Sequence, residues 1–200
     1  MSFGAGIIER MSDLAVPPLT DHRRRLLDAM AHAVAGKGYA AVTIADLAAE
    51  ARVSKRSFYE HFTDKAACLI ALYEAASHQS LEVLRNALDP ARDWHAQVEQ
   101  VMTVYFETLS LNPPLLRTLF IEIIALGPDG LAARRRTTQH FADFIVAATG
   151  GALPHAQAVA IVGGIHEWVL EAVEDERVAQ LPALAGPAAR LVRAVVDHHG

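Results

Sequence analysis

Residues 51–65, ARVSKRSFYEHFTDK, hold two Lys, two Arg, a Tyr and a His in a chain whose net charge is −5. Ammonium and guanidinium groups donate to phosphate oxygens and to the O6 and N7 of guanine, and hydroxyl and imidazole groups donate to phosphate. That is the chemistry of binding a polyanion, not of breaking bonds. Signals for catalysis are absent. His166-Glu167 begins the zinc motif H-E-x-x-H, but position 170 is Leu, so the second ligand is missing. No Glu stands three residues before a His, and there is no Gly-rich phosphate loop or nucleophile elbow. The expectation is therefore no catalytic residue, no metal and no cofactor.

These cations need a scaffold, and the surrounding pattern supplies one. Phe58 and Phe62 are four apart, so on a helix they share the inward face and leave Lys55, Arg56 and Tyr59 on the opposite one. Ser54 is placed to cap that helix and stands among the expected DNA contacts. Upstream, Thr43 and Asp46 form a capping box before Ile44, Leu47 and Ala48, and the pattern breaks at Arg52. Two helices of about two turns with a short break between them fit a helix-turn-helix. A longer helix precedes them: Thr20 caps it, Leu26, Leu27, Met30, Val34 and Ala35 fall at helical spacing, and Lys37-Gly38 ends it. Val16-Pro17-Pro18-Leu19 sets off residues 1–19 as a flexible arm.

A helix in the major groove presents its first turn to base edges. Lys55 and Arg56 are the expected base readers, with Ser57 as a third, while Tyr59 and His61 lie further along, at phosphates. Lys65 stands in the first turn of the next helix, where free amides and the dipole already favour an anion. Thr43 with its neighbouring amides makes a second phosphate clamp. The plain alternative is a solvated basic face.

Residues 23–73 resemble the N-terminal DNA-binding domain of the tetracycline-repressor family of bacterial regulators. The resemblance rests on Gly38-Tyr39, Thr43-Ile44, Ala48, Val53-Ser54-Lys55, Phe58-Tyr59, His61-Phe62 and Lys65, and covers about a quarter of the chain. It implies an all-helical homodimer reading a palindromic operator in double-stranded DNA, with a C-terminal domain that binds a small effector and releases the DNA. It supports Thr43, Lys55, Ser57, Tyr59, His61 and Lys65 as DNA contacts. The family commonly has Gly where this chain has Arg52; a left-handed backbone there costs a non-Gly residue about 1 kcal/mol, unless the turn is reshaped or Arg52 recovers the loss at a phosphate. Arg56 replaces a frequent small residue, which favours a guanine contact.

Beyond residue 63 the chain reads as helices to about 88, over 93–111, over 115–126, to about 149, over 154–178, and from 182 or 187 to 198, with Pro or Gly at each break and no period-2 pattern. The expected class is all-α with about nine helices: an arm over 1–19, a DNA-binding domain over 20–66, and an effector-binding and dimerisation domain over 67–200. Polar residues inside apolar stripes mark an effector pocket, because burying them unpaired is costly. Glu122, His140 and His166 qualify, with Tyr105, Phe106, Phe120, Phe141, Phe144 and Trp168 as walls for an apolar or aromatic compound. Plain core is the alternative for each. The last two helices, carrying Val159, Val162, Gly163, His166, Val169, Leu191 and Val195, match the position of the family's dimer bundle.

Bulk composition agrees. Hydrophobic residues make up 52% of 200 positions, enough for a real core. The first 65 residues carry nine Lys and Arg against eight Asp and Glu, and the remainder nine against fifteen, so the cations gather at one end. A lone Cys68 and the lack of a signal sequence or of an eighteen-residue apolar run lead to an expectation of a soluble, cytoplasmic protein with no membrane partner. A DNA-binding dimer without small-molecule control is the rival reading.

Overall fold

The structure, a computed structural model, describes residues 21–89 and 91–198; the expected arm over 1–19 and the Thr20 cap lie outside them. Helix α1 spans Asp21–Ala41 and is broken at Gly38, whose φ of 73° only glycine adopts cheaply. Thr43 then caps α2 (Ile44–Glu50) with both halves of the capping box in place, and Ser54 caps α3 (Lys55–His61) by accepting from the Ser57 amide.

Between α2 and α3 the chain reverses in a Schellman turn. The Val53 amide donates to Ala48 O at 2.9 Å and the Arg52 amide to Ala49 O at 3.1 Å, which places Arg52 at the left-handed position with φ 54°. Helix α4 (Lys65–Ala87) follows, capped by Asp64, then α5 (Trp94–Ser110) capped by Asp93.

The next segment is less regular than its apolar pattern foretells. Helix α6 (Pro113–Arg117) runs into a π turn, Thr118–Glu122, in which the Ile123 amide donates to Thr118 O five residues back, before a short α7, Ile123–Ala125. Helix α8 (Pro128–Ala148) begins after Gly127 at φ 65°, and Gly130 lies buried inside the helix. A Cβ there would stand 1.8 Å from the Ile123 carbonyl oxygen. Glycine is what lets α8 close on α7.

Helix α9 (His155–Glu174) stops before the expected residue 178. Glu176 turns left-handed with φ 57°, and the Arg177 amide donates to Ala172 O at 2.7 Å. A 3-10 segment, Val178–Leu184, leads into α10, Ala185–Asp197. The described residues are helical with no strand, as expected.

Among the described residues two large apolar cores share one rod, α4, which also adds Tyr73 to a small cluster with Ile123 and Ala133. Leu26, Met30, Leu47, Phe58 and Leu69 close the first, and α4 adds Leu72 to it; further along, Leu81 and Leu84 of the same helix enter the second, with α5, α8, α9 and α10. Cys68 lies in the first core, and burial pushes its thiol up to about 12, so it is inert at neutral pH. Among the described residues no helix is long and apolar enough to cross a membrane, and no cluster of side chains could hold a metal ion.

Candidate nucleic-acid interface and interior site

Phe58 is fully buried and Phe62 nearly so, which fixes the rotation of α3. Lys55, Arg56 and Tyr59 accordingly face solvent, with the Arg56 side chain 91% and Tyr59 58% exposed. Arg52 joins them from the turn and is exposed as well. Tyr59 packs edge-on against Phe58, centroids 5.6 Å apart, so its phenol projects from a fixed base. Arg56 reaches Glu60 at 3.4 Å, a solvent-exposed pair that a stronger anion would displace at little cost. No part of the described chain covers this face.

Three expected contacts sit differently. Ser57 turns inward, 8% exposed, and its hydroxyl shares a 3.0 Å hydrogen bond with His22 Nδ1; it holds α3 to α1 instead of standing beside the base readers. His61 is half-buried with its ring edge-on to His22 at 6.4 Å. Lys65 Nζ donates to the carbonyls of Tyr39 and Val42, each at 2.8 Å, and lies 4.1 Å above the Tyr39 ring. Its charge thus clasps the α1–α2 loop to the first turn of α4. The Thr43 hydroxyl donates to Asp46 Oδ2 at 2.7 Å within the capping box, and Lys37 Nζ donates to the same oxygen at 2.7 Å. That bond from Lys37, with those from Thr43, holds the Asp46 carboxyl well below the usual range. Ser54 is occupied as a cap.

In the C-terminal core four of the expected wall residues and the polar marker His166 form a continuous chain of rings. Phe106 meets Tyr105 at 5.4 Å, Tyr105 meets Phe141 at 6.0 Å, and His166 lies edge-on to both Phe141 and Phe120 at 5.6 Å. His166 is 6% exposed. Burial first, and Arg134 second, depress its pKa to about 4, so the imidazole is neutral at neutral pH. Burial likewise raises the Tyr105 phenol, which then stays protonated.

The other expected pocket residues do not join this chain. His140 is exposed on α8. Glu122, at the end of the π turn, brings Oε1 to 3.7 Å from where a Gly38 Cβ would be; it belongs to the joint with the DNA-facing domain. Phe144 turns to a separate apolar crevice of about 380 Å³, partly open solvent, with Trp94, Val98, Met102 and Val192. Trp168 is half-buried against the main core. Of the residues assigned to dimer contact, Val162, His166 and Val169 face the chain's own core, since a 3.6-residue period that buries one side cannot also present it to a partner. Val159, Leu191 and Val195 are half-buried, and Gly163 is exposed.

Sequence reasoning missed a polar group beside the rings. Tyr73 and Thr137 are both buried, and burial raises the pKa of the Tyr73 phenol. The half-buried Arg134 acts on both Tyr73 and His166. The available signal was the spacing of Arg134, Thr137 and Phe141, which puts them on one face of α8.

Comparison with known proteins follows this geometry. Residues 26–72, the span of the first core, match the family model described as bacterial regulatory proteins, tetR family. An uncharacterized HTH-type transcriptional regulator of Bacillus subtilis (strain 168), YerO, is 32% identical over 68 residues, which is 34% of this chain and about a quarter, 24%, of that protein. Among solved structures, the fatty acid degradation regulator FadR from Bacillus halodurans superposes with a TM-score of 0.72 at 18% identity, covering 88% of this chain and 96% of that one. The regulator FadR from Bacillus subtilis in complex with stearoyl-CoA superposes with a TM-score of 0.71 at 18% identity, covering 84% and 96%. The matched N-terminal span is similar to that of bacterial regulatory proteins, and the fold is shared with the two solved regulators. The matched span is the one that builds and aims the basic helix, so residues 26–72 are similar to the tetR family of bacterial regulatory proteins in the part that bears the candidate DNA contacts.

Proposed function

We propose that the protein is a ligand-responsive, dimeric regulator of transcription that acts in the cytoplasm, most directly as a repressor holding a palindromic operator until an apolar or aromatic effector releases it. The observation that carries the DNA-binding part is the outer face of α3, where Lys55, Arg56 and Tyr59 project together with Arg52 while Phe58 and Phe62 anchor the helix from behind. Lys55 and Arg56 read base edges, Tyr59 and Arg52 meet phosphates, and Thr43 and His61 border the groove. Two copies read adjacent major grooves when their α3 helices lie about 34 to 36 Å apart.

Effector control is supported by the ring chain from Phe106 to Phe120 and by the α4 rod shared between the two cores. The stearoyl-CoA held by FadR of Bacillus subtilis supports an effector with a large apolar part. Self-association fits the outer faces of α9 and α10, where Ala160, Gly163 and Ala194 are exposed and no atom stands within 4 Å of a Gly163 Cβ.

The test is fluorescence anisotropy with operator DNA selected from random duplexes. Lys55→Ala or Arg56→Ala should relax base preference at one position by about 1 to 3 kcal/mol. Parent-like selection by both variants, and by Tyr59→Phe, would remove α3 as the reader. An effector that binds the protein yet leaves operator affinity unchanged would refute ligand control, because coupling must act in both directions.

A further inference from the structure

Residues 134–136 are three consecutive arginines that α8 sends in three directions. Arg135 is exposed, and Arg136 donates to Glu74 Oε1 at 2.6 Å. Arg134 is half-buried, on the face of α8 that carries the buried Thr137 and Phe141, and among the described residues no carboxylate lies within ion-pair distance of it. Its charge is felt at Tyr73 and at His166. Its guanidinium, at the edge of that buried face, is only partly withdrawn from water and has no carboxylate beside it to compete with an incoming anion. The nearby imidazole is neutral at neutral pH and does not repel it.

We propose that Arg134, with the hydroxyls of Tyr73 and Thr137 beside it, is the anion-holding end of the effector site, so that the effector is an amphiphile with an anionic head and an apolar body laid along Tyr105, Phe141, Phe120 and His166. This rests on the ligand-responsive reading above and narrows it to one chemical class. Carboxylate and phosphate heads share the required chemistry, because guanidinium donates two parallel hydrogen bonds to either. His166 closes the apolar end with its ring.

Calorimetry with four probes that share a ten-carbon chain tests this: decanoate, decyl phosphate, decanol and decyltrimethylammonium, each titrated into the full-length protein and into Arg134→Met. The parent should bind at least one anionic probe about 10 to 100 times more tightly than decanol, the range expected for a hydrogen bond to a charged group. Arg134→Met should bring the anions down to the level of decanol while leaving decanol binding in place, which also shows that the variant folds. A preference between decanoate and decyl phosphate names the head group. Equal binding of anion and alcohol by the parent, or an anion preference that survives in Arg134→Met, overturns the proposal and leaves apolar effector control standing. Absence of binding by all four probes defeats both together. An Arg134→Lys variant that recovers part of the anion preference would separate a direct contact from a packing effect.

Discussion

His166 is neutral because burial outweighs its ordinary affinity for a proton. Its folded value of about 4 lies below the ordinary 6.5, so the unfolded chain binds a proton that the folded chain does not. The stability contributed is whole above pH 6.5 and declines as pH falls from 6.5 towards 4; the full difference is on the order of 3 kcal/mol. Urea melts of His166→Phe should lose less unfolding free energy between pH 7 and 4.5 than the parent. Equal losses would acquit the imidazole. Arg52 is the opposite case, a residue that its backbone does not suit. Arg52→Gly should raise stability by about 1 kcal/mol, read as a higher urea midpoint at unchanged slope, and should weaken operator binding if the guanidinium meets a phosphate. Lys65 separates two roles by salt dependence. As a clasp on the Tyr39 and Val42 carbonyls, its change to Met should cost about 1 to 3 kcal/mol of stability and leave the salt slope of DNA binding unchanged. A slope lowered by about one unit would instead mark a direct phosphate contact.

Helix α8 depends on a missing side chain. The site of a Gly130 Cβ is 1.8 Å from a backbone oxygen of Ile123, which has no flexible end to move aside. Gly130→Ala should therefore destabilise by about 1 to 3 kcal/mol or more, a loss measurable by thermal unfolding, whereas Gly163→Ala, with open space around it, should be near neutral in the isolated chain. Gly163→Arg belongs to the same comparison: sedimentation should show it monomeric if α9 pairs with a second copy. The π turn, with Phe120 on His166 and Glu122 at Gly38, is the short piece of chain that touches both the ring chain and the DNA-facing domain.

For the chain taken together, legibility followed locality. The capping box at Thr43, the α3 face and the all-helical class were readable because each depends on residues three or four apart, and the same period that buried Phe58 and Phe62 exposed Lys55, Arg56 and Tyr59. Arg52 was readable as a misfit only through the family resemblance, which has glycine at that turn. Ser57, Lys65, Glu122 and His140 were not, since their surroundings come from segments distant in sequence: His22 lies 35 residues from Ser57, and Tyr39 lies 26 from Lys65. An apolar stripe likewise says that a face is buried without saying whether its own chain or a second copy covers it, and packing gave Val162 and Val169 to the chain's own core. Helical period and cap chemistry are local and survive in one dimension. Which of three adjacent arginines turns inward is settled only when α4, α8 and α9 close around a shared interior, because desolvation is a property of the enclosing shell and not of the side chain.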